Sequence, residues 1–220
     1  MKKKIKIAFL LDNTNNWILQ YLKKSKLLKK NNKYYSKIFI NFKKIINYDL
    51  VFILNYTKIL KPNFLKKNKL NLVVHSSDLP KGKGFAPIQW QILEGKNKIY
   101  TTLFEAVEKF DSGKIFEKDY IFLKGTELYD EIRYYQAKLI IKMIKKFLNK
   151  YPNIKSKRQV GKPTFYRRRY KSDSKLNINS SIKKLFNQMR VADNEKWPSF
   201  FYFKKKKFIV KIFKANIKNS

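Results

Sequence analysis

Asn71-Leu72-Val73-Val74-His75-Ser76-Ser77-Asp78-Leu79-Pro80 carries an apolar run into the only histidine of the chain and then breaks it on serine and proline. Such a short, nearly continuous apolar run is expected of a strand buried on both faces, as in a parallel sheet covered by helices. Residues 5–11 and 50–54 read the same way, with a helical stretch at 17–28 and a further strand at 34–40 between them. This alternation predicts an α/β fold built on a mainly parallel, doubly wound sheet. His75 then stands at a strand end beside a loop broken by Pro80, Gly82 and Gly84, the edge where α/β proteins place their chemistry.

Beyond that loop, residues 86–93 read as a short helix ended by Gly95, and 98–107 and 115–123 as strands flanking a turn at Asp111-Ser112-Gly113. A long helix is predicted from Thr126 as cap, with Leu128, Ile132, Tyr135, Leu139 and Met143 on one face. Glu127, Asp130 and Glu131 near its start and Lys145, Lys146 and Lys150 near its end suit the helix dipole, and Pro152 stops it. The main domain is therefore placed at 1–152. Residues 153–220 form a small α+β extension: a polar connection at 153–163, a basic segment Arg167-Arg168-Arg169, a helix at 182–191, and strands at 199–203 and 208–213 joined by a solvated turn at Lys204 to Lys207.

The 220 residues carry a net charge of +37, and of the 52 basic residues 46 are lysine and 6 arginine, alongside 20 asparagines. Base-edge and phosphate recognition favours the forked guanidinium, so a lysine excess spread along the whole chain points to A/T-rich coding rather than a specific nucleic-acid groove. The field still attracts anions. The absence of cysteine excludes disulfides, thiol nucleophiles and thiolate metal sites, and a single histidine excludes multi-histidine metal centres, so no metal site is assigned. The basic start, Met1-Lys2-Lys3-Lys4, leads into an apolar run interrupted by Lys6 and followed by Asp12, which reads as a first strand rather than a secretory signal. No segment approaches the ~20 apolar residues of a bilayer span, and the expectation is a cytoplasmic protein without membrane insertion.

A lone histidine after apolar residues is most often a hydrogen-bonded structural group. At an open strand end, however, an imidazole can exchange protons near neutrality, and Asp111 is placed to orient it if the fold brings the two together. With His75, Ser77, Leu79-Pro80, Lys83-Gly84 and Ala86-Pro87-Ile88-Gln89-Trp90 in order, followed by Thr102 and Asp111-Ser112-Gly113, the sequence resembles the formyltransferase family, most strongly over 71–121. That family contains methionyl-tRNA formyltransferases and nucleotide-sugar N-formyltransferases. The resemblance implies a Rossmann-like formyltransferase fold and transfer of a formyl group from 10-formyltetrahydrofolate to an amine. It implies catalytic roles for His75 and Asp111, folate contacts from Leu79, Pro80, Phe110 and Gly113, and acceptor contacts from Ser77, Lys83 and Arg168. One position departs from the family pattern: an asparagine usually stands two residues before the histidine, and this chain has Val73. Asn71, Asn55 and Ser76 are the candidates to supply the missing donor.

The segments Phe165-Tyr166-x-Arg168-Arg169, Asn187-x-x-Arg190-Val191 and Pro198-Ser199-Phe200 resemble the region after the catalytic domain in sugar N-formyltransferases and tRNA formyltransferases. The 59 residues after Gly161 leave little room for the β-barrel that follows in the tRNA enzymes. The resemblance therefore favours a nucleotide-linked amino sugar used in polysaccharide biosynthesis as acceptor. A tRNA acceptor, or an impaired member that only binds RNA, are the alternatives, and dimerisation is an expectation drawn from sugar-modifying relatives.

Overall fold

The run that ends at His75 is a central strand of a six-stranded sheet. The computed structural model describes residues 4–29 and 32–215. In chain order these form β1 (Ile5–Leu10), α1 (Leu19–Lys24), β2 (Tyr34–Phe39), β3 (Leu50–Ile53), α2 (Pro62–Leu65), β4 (Leu70–His75), the two-residue β5 (Lys83–Gly84), α3 (Pro87–Leu93), β6 (Lys98–Glu105), β7 (Ile115–Phe122), α4 (Tyr129–Lys150), the two-residue β8 (Phe165–Tyr166), α5 (Ile182–Arg190), β9 (Ser199–Phe203) and β10 (Lys206–Val210). The main sheet runs β2-β1-β3-β4-β6-β7, parallel through its first four strands and antiparallel at β4–β6 and β6–β7. This is the mainly parallel α/β architecture of the sequence reading.

Strand alternation divides the core between the two faces. Ile7, Phe9 and Leu11 join Phe52, Leu72 and Val74 against Leu22 of α1 and Ile140, Ile144 and Phe147 of α4. Ala8, Leu10, Val51 and Ile53 face the other way, against Ile45 and Phe64 of α2. Each fully buried side chain of this size contributes roughly 1.5–3 kcal/mol, so both faces of the sheet are apolar. The strand order reverses between β1 and β3, and the loops following β1, β3 and β4 open a crevice at that switch point.

Three predicted features shift. The long helix starts at Tyr129 rather than at a Thr126 cap, because Glu127 folds back to accept the N–H groups of Lys124 (2.7 Å) and Gly125 (3.0 Å), while Glu131 accepts from Leu128 N (2.9 Å). Its buried stripe runs through Ile132, Gln136, Ile140, Met143 and Phe147, which leaves Tyr135 38% exposed. In the terminal hairpin only Lys204 and Lys205 form the turn, both at positive φ (45° and 64°), so the second strand begins at Lys206 rather than Phe208. Two-residue turns with both centres left-handed match the strand twist.

Residues after α4 run back over the sheet. Lys157 bridges to Ile115, β8 pairs with β5, and Leu176 N donates to Phe200 O (2.7 Å). Arg190, 1% exposed, ties α5 to the turn before β6 through Asn97 Oδ1 (3.3 Å) and lies 3.9 Å from Glu127 in the loop before α4. No described helix is long and apolar enough to cross a membrane.

Candidate active site

β4 delivers His75 to the crevice, and its Nε2 lies 2.9 Å from the carbonyl oxygen of Gly82. A carbonyl only accepts, so Nε2 carries the proton in this arrangement. The same nitrogen is 3.8 Å from Asp111 Oδ2, with the two side chains only 11% and 5% exposed. Residues 36 positions apart thus meet at one nitrogen. Asp111 sits at φ 47°, a left-handed conformation uncommon for a side-chain-bearing residue, of which Asp and Asn are the more tolerant. Several contacts impose it. Oδ2 accepts Gly84 N (2.9 Å), and Gln159 Nε2 donates to the carbonyls of both Asp111 and Gly113 (2.9 Å each). Gly113 lets the turn close on β6, since a Cβ there would lie 1.8 Å from Glu105 O.

The other motif residues mostly build the frame around this pair. Lys83 Nζ donates to Ser112 Oγ (2.8 Å); its burial pushes the ammonium pKa down, with Asp111 opposing and Lys109 reinforcing the shift. Thr102, opposite His75 in the β4–β6 ladder, donates to Ser77 O (2.6 Å) and accepts from Leu79 N (3.4 Å), and Leu79 is fully buried. Pro80 O accepts from Thr164 N (3.4 Å). The structure therefore places Ser77, Leu79, Pro80, Lys83 and Gly113 behind the site wall. Phe110 and Arg168 stand on it.

That wall encloses a cavity of about 580 Å³. One half, from the ends of β3, β4 and β6, is apolar: Ile53, Leu60, Leu65, Val73, Phe104, Ala106 and Val107. The other half comes from α4 and the returning tail and includes Tyr129, Arg133, Arg168, Arg169, Lys196 and Trp197, with Trp17 from the loop after β1. Phe85 stands at the seam, its ring 6.0 Å from Phe110 on one side and 4.6 Å from the Arg168 guanidinium on the other. Trp17 and Arg133 carried no motif in the sequence, and the scarcity of arginine in a lysine-rich chain was the one signal available for Arg133; Arg169 belongs to the segment Phe165-Tyr166-x-Arg168-Arg169 that the sequence already marked.

The three candidate donors stand in different places. Asn71 donates to Leu65 O (2.8 Å) and lies outside the cavity. Ser76 lines it, its buried hydroxyl accepting from Gln136 Nε2 (2.7 Å) and keeping its own O–H to donate. Asn55 lines it as well, at φ 48°, with its backbone carbonyl held by Asn16 Nδ2 (3.2 Å) and its own side-chain amide free of hydrogen bonds among the described residues. The β3–β4 ladder ends where Ile53 faces Val73, and Asn55 follows in the loop after β3, lining the same cavity as His75.

A chain match now joins the geometry: residues 4–144 match the formyl transferase family profile. The chain belongs to the formyl transferase family. It is 31% identical over 183 residues to the methionyl-tRNA formyltransferase of Sulfurihydrogenibium, an alignment covering 79% of this chain and 56% of that protein. The chain thus spans about half the length of the curated relatives it matches. Among solved structures, a methionyl-tRNA formyltransferase from Clostridium thermocellum superimposes with a TM-score of 0.82 at 24% identity, covering 97% of this chain and 95% of that one. A 4-N formyltransferase from Francisella tularensis gives 0.72 at 18%, covering 97% and 99%. HypX from Aquifex aeolicus, solved with tetrahydrofolic acid, gives 0.73 at 14%, covering 96% and 38%. At these identities the superpositions show the formyltransferase fold.

In this family member the tail is fastened to the site by aromatic contacts. Trp90 stacks on Tyr166 (6.4 Å) and donates Nε1–H to Arg167 O (2.9 Å), while Tyr166 OH donates to Glu94 Oε2 (2.7 Å). Burial and the adjacent carboxylate push the Tyr166 pKa above its ordinary value, so it stays a donor. Tyr166→Phe keeps the stack and deletes that bond; a loss of about 1 kcal/mol is expected in denaturant unfolding.

Proposed function

We propose that this chain transfers a formyl group from 10-formyltetrahydrofolate to the primary amine of an anionic acceptor, and that the acceptor is methionyl-tRNA. The His75–Asp111 meeting at the seam of a two-part cavity carries the first half of this reading. The apolar half suits a flat pterin, with Phe110 at its rim. When bound, the folate supplies a formyl carbon open to attack by an amine. His75 holds its Nε2 proton toward the reacting oxygen and exchanges the Gly82 carbonyl for it as negative charge develops. Asp111 keeps Oδ2 on Gly84 N and presents its other oxygen to the proton leaving the amine, which it would pass to the folate N10 released as the bond between N10 and the formyl carbon breaks. Asn55 supplies the donor that Val73 cannot.

The acceptor rests on the curated relatives, named methionyl-tRNA formyltransferases; the diffuse charge of +37 attracts such a polyanion without selecting it. A second reading, a nucleotide-linked amino sugar, is favoured by sugar N-formyltransferase structures that align along nearly the whole of both chains. Purified protein, 10-formyltetrahydrofolate and either methionyl-tRNA or a panel of nucleotide-linked amino sugars should separate the two. Formyl-methionyl-tRNA is the expected product, lost as salt is raised. Product from a sugar alone moves the acceptor to the second reading, and turnover of neither defeats formyl transfer.

A further inference from the structure

Arginine is rare in this chain, 6 residues against 46 lysines, yet Arg133, Arg168 and Arg169 all line the His75 cavity, while Lys58 and Lys196 are the only lysines that do among the described residues. Two of the remaining arginines have carboxylate partners, Arg167 with Asp173 and Arg190 with Glu127. The three in the cavity form no ion pair among the described residues. They are held instead by rings and amides. Arg133 lies over Trp17 (4.7 Å) and Tyr129 (5.0 Å) and donates to Gln136 Oε1 (2.8 Å); Arg168 lies over Phe85 (4.6 Å), and Arg169 is 6.0 Å from the Trp90 ring. The Nε groups of Arg133 and Arg169 are buried without an acceptor. Burial also pulls the Arg169 pKa down, with Asp173 opposing it and Arg167 adding to it. A desolvated guanidinium with no carboxylate in contact, as at Arg169, is costly, and an oxyanion accepting from its fork offsets that cost.

We propose that Arg133, Arg168 and Arg169 form a phosphate subsite that grips the acceptor beside its reacting amine, with Trp17 and Phe85 flanking the group attached to that phosphate. This rests on the formyl-transfer reading and narrows it, because an amine without a neighbouring phosphate would be a poor acceptor. Stacked, forked guanidinium groups suit phosphate oxygens where the diffuse lysine field does not. The carboxylates of the folate tail could meet the same donors, so the test must distinguish donor from acceptor.

All three tryptophans lie in or beside this half of the cavity, Trp17 and Trp197 on its wall and Trp90 under the tail arginines, so their fluorescence reports occupancy without turnover. Adenosine 5′-monophosphate is expected to change that fluorescence and adenosine to leave it unchanged. Arg133→Ala and Arg169→Ala should each weaken the nucleotide by about tenfold, from the loss of charge-assisted hydrogen bonds, while the exposed hairpin variant Lys206→Ala should not. Arg133→Lys and Arg169→Lys, which keep charge and stem, guard against a folding failure and should recover only part of the affinity. In steady state the acceptor KM should rise about tenfold with the folate KM unchanged. Nucleotide affinity unaltered in both alanine variants, or a rise confined to the folate KM, overturns the subsite. Wild-type binding that depends on these arginines in a protein that forms no formylated product would leave the subsite standing and refute the transfer reading alone.

Discussion

His75→Ala and Asp111→Asn are each expected to lower kcat by about a thousandfold, in protein that melts within a few degrees of the wild type. General acid–base assistance contributes about 10²–10⁴ in rate and an oxyanion donor about 10²–10³, so losing either role gives a drop of this order. The two substitutions remove different things. Alanine at 75 deletes the Nε2–H that now rests on Gly82 O. Asparagine at 111 can still occupy φ 47° and accept from Gly84 N, so it removes the charge and proton-accepting capacity while keeping the shape. Acceptor and folate KM should move little in Asp111→Asn, because the carboxylate is held within the turn by its own backbone contacts. Turnover within tenfold of wild type in either variant would remove that residue from the reaction.

The meeting of His75 and Asp111 was legible because a short motif carries both, whereas the split between cavity wall and scaffold was not. The antiparallel ladder runs from Thr102 opposite His75 to Glu105 opposite Leu72, and the turn that follows brings Asp111 back to the imidazole. Leu79, Pro80 and Gly113 belong to the same motif yet do not line the cavity, since a sequence pattern does not tell which residues of a loop face the open space. Buried strands read cleanly from apolar runs, while helix ends and turns depended on particular side chains. Glu127 taking two backbone N–H groups delays α4, and two adjacent lysines accept left-handed geometry where glycine or asparagine would be anticipated. Arg133 read as one more polar residue on an amphipathic helix. Only the packing of α4 against the loop after β1, which lays its guanidinium over Trp17, turns it into the cavity.

Asn55→Ala should lower kcat by about a hundredfold, the usual cost of losing one oxyanion donor, ~3 kcal/mol. Val73 lines the cavity on the same strand face as His75, two residues away, and presents only methyl groups to the reacting oxygen. The amide one strand over, on Asn55, is held by a left-handed backbone that asparagine adopts more readily than most residues, and nothing else in the described structure engages it. On the proposed reading the donor moves from β4 to the loop after β3 while the oxygen it serves stays in place. A relocated donor predicts reciprocity. Val73→Asn in the Asn55→Ala background should restore most of the lost rate by replacing the amide on β4, whereas Val73→Asn alone should change kcat by less than about threefold, because the oxygen already has its partner. A structural role for Asn55 would not be rescued from another strand. The opposite pattern, with Asn55→Ala near wild type and Val73→Asn raising kcat by tens of fold, would mean that the natural protein works without this donor and that Asn55 serves only its loop.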